Sequence, residues 1–263
     1  MTKFDLIGDI HGHAEELLHL LEKLGYRNRS GIHTHPSGRK AVFLGDFIDR
    51  GPKIRKVLQT VRGMIDLGEA LAILGNHEVN AMRFQAIGRD GEFLRPHNAK
   101  NIHQHKATLD QFPDPAEWIE WIQWFAGLPL SLDLGGLRVV HACWSETAIR
   151  ELSGIGRLEG SVLEAHSREG TSGYDTISQL LNGPEGVLPD GYTHETADGT
   201  MRAEIRVKWW LDLNGTTCRE AVFPCPSDPN RRNAIPELPP KSIQATFPHP
   251  QNAPPTFFGH YAL

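Results

Sequence analysis

The sequence predicts an α/β fold built around a largely parallel sheet. Three times in the N-terminal third, an apolar run is followed by a glycine loop and then by a segment with helical periodicity. Consecutive units of this kind are typical of parallel strands joined by right-handed crossovers. With 263 residues, 39% of them hydrophobic, the chain can bury a large core, and we expect a single domain over residues 1–263.

The three units follow one another from the N-terminus. Residues 4–8 (FDLIG) predict a strand, and the leucines that follow recur at helical spacing until Gly25 ends the helix. Residues 41–45 (AVFLG) predict the second strand, followed by a helix with Pro52 in its first turn. Residues 70–75 (ALAILG) precede the third helical segment, HEVNAMRF.

The rest of the chain is less regular. Residues 88–112 are polar and are expected to form a cap-like insert, whereas residues 115–129 predict an amphipathic helix. Residues 131–142 predict a hairpin. Ten of the 18 prolines lie in a stretch of about 223–256, which we expect to be irregular and without helix. A final short strand is predicted at 256–261.

Charge and cysteine content exclude several classes of function. The formal net charge of −5 and the pI of about 6.3 provide no general basic surface for duplex nucleic acid and no polybasic membrane anchor. Three cysteines without a CxxC motif favour a reducing compartment. Because no apolar run approaches 18 residues, we expect a cytoplasmic protein without a membrane partner.

Polar loops follow the predicted strands: GDIHG (8–12), GDFIDRG (45–51), GNHE (75–78), HACW (141–144) and the late GHY (259–261). The carboxyl ends of parallel strands meet at one rim, so side chains from these loops can converge there. The converging set is Asp9, His11, Asp46, Asn76, His141 and His260. Oxygen and imidazole ligands without thiolate select Mn, Fe, Co, Ni or Zn. Six ligands suit two metals that share one carboxylate.

The order of these motifs resembles the signature of the calcineurin-like metallophosphoesterases. The DRG and GNHE forms resemble the phosphoprotein phosphatase branch, which also includes bacterial diadenosine tetraphosphate hydrolases. The resemblance is dense from residue 5 to about 145 and rests on GHY beyond that point. It implies a two-sheet β-sandwich flanked by helices, with a dimetal site at the strand ends.

The resemblance also implies roles for individual residues. It implies two divalent ions, with Mn favoured, and direct in-line attack on phosphorus by a metal-bound hydroxide. His77 would be the general acid, Asp49 would orient it, and Arg50 would bind the phosphate. The implied metal ligands are Asp9, His11 and Asp46 for the first site, and Asp46 as the bridge, Asn76, His141 and His260 for the second.

Several alternatives remain open at this point. The substrate is a phosphoprotein or a nucleoside polyphosphate, and a bis(5'-nucleosyl)-tetraphosphatase-type hydrolase is one specific form of the second. In the cap-like insert, Arg95 and His97 are candidate substrate ligands, within a titratable cluster that also contains Lys100, His103 and His105. Arg202, Arg206 and Lys208 are candidates for a second phosphate ligand. Because the chain ends three residues after His260, a metal-binding module without turnover is the alternative of another class.

Overall fold

The structure is a computed structural model that describes residues 2–195, 201–243, 249–250 and 252–261. The elements in chain order are β1 Phe4–Ile7, α1 Ala14–Lys23, β2 Arg27–Arg29, β3 Ile32–Thr34, β4 Lys40–Phe43, α2 Ile54–Asp66, β5 Ala70–Ala72, α3 Asn76–Gln85, α4 Ala99–Gln111, α5 Pro115–Ala126, β6 Ser131–Asp133, β7 Arg138–Val140, α6 Glu146–Glu151, α7 Gly160–Ala165, α8 Ser172–Asn182, β8 Glu185–Val187, β9 His194–Glu195, β10 Met201–Arg202, β11 Glu204–Arg206, α9 Cys218–Ala221, α10 Pro229–Ala234, β12 Ser242–Ile243 and β13 Thr256–Phe258.

These elements fall into two compact units. The first unit lies within Met1–Leu181 and Thr256–His260, and the second within Asn182–Pro255 and Tyr261–Leu263. The expectation of a single domain over 1–263 stays a prediction.

The first sheet of the first unit has the strand order β1-β4-β5, with both pairs parallel. Each strand is followed by its helix, as the three sequence units predict. The predicted position of Pro52 is wrong, because α2 begins only at Ile54. The amide of Lys53 donates to the carbonyl of Gly12 at 2.9 Å, which ties this turn to the 8–12 loop before the helix starts.

The second sheet of the first unit has the order β13-β7-β6. β6 and β7 form the predicted hairpin, and the predicted last strand, β13, pairs parallel with β7. Side chains from both sheets form one apolar cluster, in which Val42 and Ile73 of the first sheet region meet Val139 of the second. Burying a side chain of this size contributes about 1.5–3 kcal/mol. The two-sheet sandwich implied by the resemblance is confirmed.

The helices near the cap-like insert differ from the sequence picture in one respect. The predicted amphipathic helix is α5, which starts at Pro115 behind the capping carboxylate of Asp114 and buries Trp118, Trp121 and Phe125. The insert, expected as a polar excursion, contains α4, whose Asn98 cap accepts from the amide of Asn101. One face of α4 is buried, so part of this segment belongs to the core of the first unit.

The second unit has its own three-stranded antiparallel sheet of order β11-β8-β12 over a cluster that includes Ile205, Val207 and Val222. The prediction that proline density excludes helix from 223–256 is wrong, because α10 forms there. Pro229 occupies the start of α10, where the missing N–H is not needed. The Asp228 side chain accepts from the amides of Asn230 and Arg231, which caps this helix.

Candidate metal centre

The loops after β4 and β5 are held together by one buried carboxylate. Glu78 is fully buried and accepts hydrogen bonds from the amides of Asp46 and Phe47 at 2.8 Å and of Gly75 at 3.0 Å. Burial and the neighbouring charge of Asp46 raise the pKa of Glu78 to about 7. Sequence reasoning assigned no role to Glu78. Its position three residues after a glycine N-cap, as in a capping box, is the signal that could have found it.

Asp46 lies at the centre of the rim, with 1% of its surface exposed. Its Oδ2 atom is 3.5 Å from His11 Nε2 and 3.5 Å from His141 Nε2. Its Oδ1 atom accepts from the amide of His77 at 3.0 Å. Asp46 Oδ2 therefore faces two imidazole nitrogens whose residues, His11 and His141, are far apart in the sequence.

Both imidazoles are oriented by backbone carbonyls. His11 Nδ1 lies 2.8 Å from the carbonyl of Ile48, and His141 Nδ1 lies 2.6 Å from the carbonyl of Leu44. A carbonyl can only accept, so each Nδ1 carries a proton, and each Nε2 faces Asp46. This carbonyl–histidine arrangement is the usual support of a metal-ligating histidine.

Asn76 and His260 extend the cluster toward β13. Asn76 Oδ1 is 3.1 Å from His141 Nε2 and 3.0 Å from His260 Nδ1. The amide of His260 donates to Oδ1 of Asp9 at 2.9 Å, so the first and last polar loops meet. Among the residues that the structure describes, two groups have the spacing of metal ligands, His11 with Asp46 and His77, and Asp46 with His141 and His260.

The donor set fits a pair of divalent ions. His11 Nε2 is buried and makes no hydrogen bond within the described residues, although its lone pair faces a carboxylate. A buried acceptor of this kind is costly unless a further group completes it. Nitrogen and oxygen donors around a shared carboxylate match Mn, Fe, Co, Ni or Zn.

Backbone strain is concentrated in the same loops. Within the described part of the chain, six non-glycine residues have positive φ, and five of them are in these loops, with φ between 43° and 65°. These five are His11, Asp46, Asp49, Arg50 and His260. Such conformations cost about 1–3 kcal/mol each and persist where the surrounding structure enforces them, often at functional sites.

The partly buried His77 and the buried Asp49 form a pair beside the cluster. His77 Nδ1 is 2.6 Å from Asp49 Oδ2, and the His77 ring contacts that of His11 edge-on with centroids 4.6 Å apart. Burial opposes a charge on either group, but their mutual attraction outweighs it. The pKa of Asp49 is held well below its usual range by hydrogen bonds from His105 and His77. The charges of Asp46 and Asp49 raise the pKa of His77.

Two residues of α4 complete this pair, and sequence reasoning did not connect them with it. His105 Nδ1 is 2.7 Å from Asp49 Oδ1, and the Thr108 hydroxyl donates to the same oxygen at 2.5 Å. The sequence placed His105 only in the titratable cluster of the insert. Its spacing of three residues from Thr108, which puts both on one helix face, was the available signal.

The candidate substrate ligands differ in their surroundings. Arg50 is exposed at the rim. The guanidinium of Arg95 donates to the neutral side chains of Asn101 at 3.1 Å and Gln104 at 2.6 Å. Burial lowers the pKa of Arg95, and the negative charge of Asp49 partly offsets this.

His97 and the second-unit candidates already have structural contacts. The His97 ring stacks between Phe84 and Phe93 at 3.7 and 3.8 Å, and its Nε2 lies 2.8 Å from the Phe84 carbonyl. The three candidates for a second phosphate ligand are all in the second unit. Arg202 is 3.6 Å from Glu185, Arg206 lies 5.9 Å from the Tyr261 ring centre, and Lys208 donates to the Glu220 carbonyl. Their roles stay predictions.

Comparison with known proteins identifies the class. A model of the calcineurin-like phosphoesterase family matches residues 2–223, and the chain therefore belongs to that family. The resemblance drawn from the motifs is confirmed, and so, at the level of the family, is the predicted class of enzyme, a phosphoester hydrolase. Within the described residues, no helix is both long enough and apolar enough to cross a bilayer.

Among curated proteins, the chain is similar to asymmetrical bis(5'-nucleosyl)-tetraphosphatases called PrpE. The protein of Geobacillus sp. (strain WCH70) is 34% identical over 148 residues, which cover 53% of this chain and 57% of the relative. That of Geobacillus thermodenitrificans is 38% identical over 146 residues, covering 52% and 56%. The chain thus spans little more than half the length of these relatives.

Among solved structures, the chain is similar to a protein serine/threonine phosphatase of Saccharomyces cerevisiae that resembles human PP5. The two are 21% identical, with a TM-score of 0.45, over 68% of this chain and 48% of that one. A cold-active protein-tyrosine phosphatase of a Shewanella species is 19% identical, with a TM-score of 0.44, over 69% and 56%.

Proposed function

We propose that this chain is a phosphoester hydrolase that depends on two divalent metal ions. The observation that carries the proposal is the Asp46 Oδ2 atom, 3.5 Å from the oriented Nε2 atoms of both His11 and His141. Asp9 and His11 would complete one site around Asp46. Asn76, His141 and His260 would complete the other, and Mn is the favoured metal.

When bound, two such ions would lower the pKa of a water molecule and neutralise charge on the phosphoryl group. The chain's own residues would do the rest. His77, whose pKa is raised by the nearby carboxylates and whose ring is oriented by Asp49, would donate a proton to the leaving oxygen. Arg50, exposed at the same rim, would bind two phosphate oxygens with its planar guanidinium.

The favoured substrate class is a nucleoside polyphosphate. Support comes from the activity named for the curated relatives and from Arg95, whose guanidinium donates to the neutral amides of Asn101 and Gln104. A guanidinium there suits a second phosphate of a chain substrate. A phosphoprotein is the second candidate, because the complete GDxxDRG and GNHE motifs resemble the phosphoprotein phosphatase branch.

The test of metal dependence uses metal-stripped protein refilled with Mn²⁺ and assayed on p-nitrophenyl phosphate and on phenyl phosphate. We expect Mn²⁺ to restore turnover in the unsubstituted protein and in His19→Asn, an exposed histidine that serves as the control. Asp46→Asn should lose both metal and turnover, whereas His77→Asn should retain metal and lose about 100-fold or more in kcat on phenyl phosphate. Metal binding without turnover on any phosphoester would instead favour the metal-binding module.

The test of substrate class compares diadenosine tetraphosphate with a phosphoserine peptide. Arg95→Ala should raise KM for the dinucleotide by about tenfold, the loss of roughly one charge-assisted hydrogen bond. The KM for p-nitrophenyl phosphate, which has a single phosphate, should stay unchanged. Arg89→Ala is the matched control, since Arg89 is on the same insert but exposed and close to Glu164. Preference for the peptide, with no effect of Arg95→Ala, would favour the phosphoprotein.

A further inference from the structure

The two carboxylate oxygens of Asp49 have different partners, and only one of these partners, His77, belongs to the proposed chemistry. Its Oδ2 atom is 2.6 Å from His77 Nδ1, whereas its Oδ1 atom is 2.7 Å from His105 Nδ1 and 2.5 Å from the Thr108 hydroxyl. The backbone is fixed as well, since the Asp49 amide donates to Thr108 Oγ1 at 3.0 Å. The Asp49 carbonyl in turn accepts from the Gly51 amide at 2.8 Å, so every polar group of Asp49 is engaged.

The direction of each hydrogen bond follows from the carboxylate. An ionised carboxylate only accepts, so His77 and His105 both present Nδ1–H to Asp49. The Thr108 hydroxyl donates its single proton to Oδ1 and receives the Asp49 amide on a lone pair. The carboxylate plane, and with it the angle at which Oδ2 meets His77, is set by these two donors of α4.

His105 is built into this position. It is 5% exposed, its ring lies 5.4 Å from that of Phe84 and 5.7 Å from that of Trp118, and Thr108 is fully buried. His105 Nε2 is also buried and has no hydrogen-bond partner within the described residues. Burying an imidazole among apolar rings is costly, and the hydrogen bond of the His105 ring goes to Asp49. We therefore take orientation of Asp49 as the role of His105.

We infer that His105 and Thr108 are positioning residues that act on His77 through Asp49. The inference rests on the proposed function, because it gives the general acid a support from the insert helix. An imidazole misplaced by about 1 Å can cost about 100-fold in rate. The effect should appear only where proton donation limits the reaction, namely with substrates whose leaving oxygen is strongly basic.

The test compares two substrates that differ in the leaving group. Phenyl phosphate releases a phenolate whose pKa is about 10 and needs a proton, whereas 2,4-dinitrophenyl phosphate releases a stabilised anion that does not. His105→Ala should lower kcat on phenyl phosphate by about 10- to 100-fold, with KM unchanged. On the dinitrophenyl ester, kcat should change by less than about threefold. Thr108→Val, which keeps the shape and removes the hydroxyl, should show the same pattern.

Two further variants separate positioning from structural damage. The amide of His105→Asn places an N–H where His105 Nδ1 lies, so it should recover most of the phenyl phosphate rate. Lys106→Ala, an exposed neighbour whose partner is Asp110 on the same helix face, should behave like the unsubstituted protein. An equal loss on both esters, or no rescue by asparagine, would overturn the inference and indicate a role in folding alone.

A second readout needs no turnover and therefore survives failure of the proposed function. In metal-free protein, the His77 Nδ1 proton in its short bond to Asp49 should give a resolved downfield proton resonance. We expect it in the unsubstituted protein and in His105→Asn, and we expect it shifted upfield or lost in His105→Ala. If no phosphoester is hydrolysed yet this pattern holds, the proposed function fails and the positioning stands. An unchanged resonance in His105→Ala overturns the positioning.

Discussion

At the scale of single residues, the candidate centre depends on how closely two backbones approach. A Cβ atom at Gly75 would overlap the Asp46 carboxylate and amide. We expect Gly75→Ala to destabilise the protein by about 1–3 kcal/mol, as overpacking does. The melting temperature should fall by about 2–4 °C per kcal/mol. Because the Asp46 carboxylate is displaced, Mn²⁺ affinity should fall at least about tenfold. Thermal unfolding and calorimetric titration measure the two effects.

The matched control for Gly75→Ala is another glycine of the polar loops. Gly8 opens the GDIHG loop, and a Cβ atom there would meet no heavy atom within 4 Å. Gly8→Ala should therefore leave both the melting temperature and Mn²⁺ affinity unchanged. Equal effects of the two substitutions would show that close packing against Asp46 is not what the glycine at 75 provides.

The residues at the rim could be predicted from the sequence because each lies within a few residues of the end of a strand. Asp46 lies three residues after β4 and His141 directly after β7, and the apolar residues of both strands are contiguous in the chain, so the sequence alone places them. Glu78 and Thr108 could not be assigned in this way. Thr108 contacts a residue 59 positions away, and nothing local in a polar helix distinguishes a threonine that faces a carboxylate from one that faces water.

At the scale of elements, the apolar pattern of the sequence predicts the strands and helices that bury an apolar face. β1, β4 and β5 are short and mostly apolar, and the sequence predicted all three. α10 was missed because the prediction used the number of prolines in the segment and not their positions relative to the helix. Pro229 starts this helix and Pro236 follows its end, and both positions tolerate proline.

The first strand also contains a buried carboxylate that links three elements. Asp5 in β1 is 7% exposed and accepts from Arg39 Nε at 2.8 Å and from the Tyr26 hydroxyl at 3.1 Å. The hydrogen bond from Arg39, which outweighs burial, lowers the pKa of Asp5. Asp5→Asn should lower the free energy of unfolding at pH 7 by about 1–2 kcal/mol, measured by urea denaturation.

The pH dependence of that difference follows from the sign of the shift. A carboxyl group whose pKa is lower in the folded state stabilises the protein fully above its unfolded pKa of about 3.9. The contribution is lost as the pH falls through the folded value. The two proteins should therefore converge in stability below about pH 4. Glu15→Gln is the control, since the Glu15–Lys53 pair is exposed and should have no measurable effect at either pH. A difference at pH 3 as large as that at pH 7 would rule out the charge of Asp5 as its source.

At the scale of the whole chain, the candidate centre joins residues from both ends of the sequence. After the second unit, β13 returns to pair with β7, and the amide of Gly259 donates to the His141 carbonyl at 2.9 Å. His260 then lies against Asp9, 251 residues earlier. Folding of β13 is therefore a condition for assembling the group of Asp46, His141 and His260. The group of His11, Asp46 and His77 contains no residue from this strand or the loop after it.

This asymmetry gives the last prediction. His260→Ala removes one donor from the group formed with Asp46 and His141, while Asp9, His11 and Asp46 keep theirs. We expect the bound Mn²⁺, measured by elemental analysis after dialysis, to fall from two ions per chain toward one. Turnover should fall with it, because the proposed attack needs both ions. Phe257→Ala, at a partly exposed position of the same strand, should retain two ions and show that β13 tolerates substitution. If His260→Ala also retained two, the ligand group would have to be completed by another residue, and the assignment of His260 would be wrong.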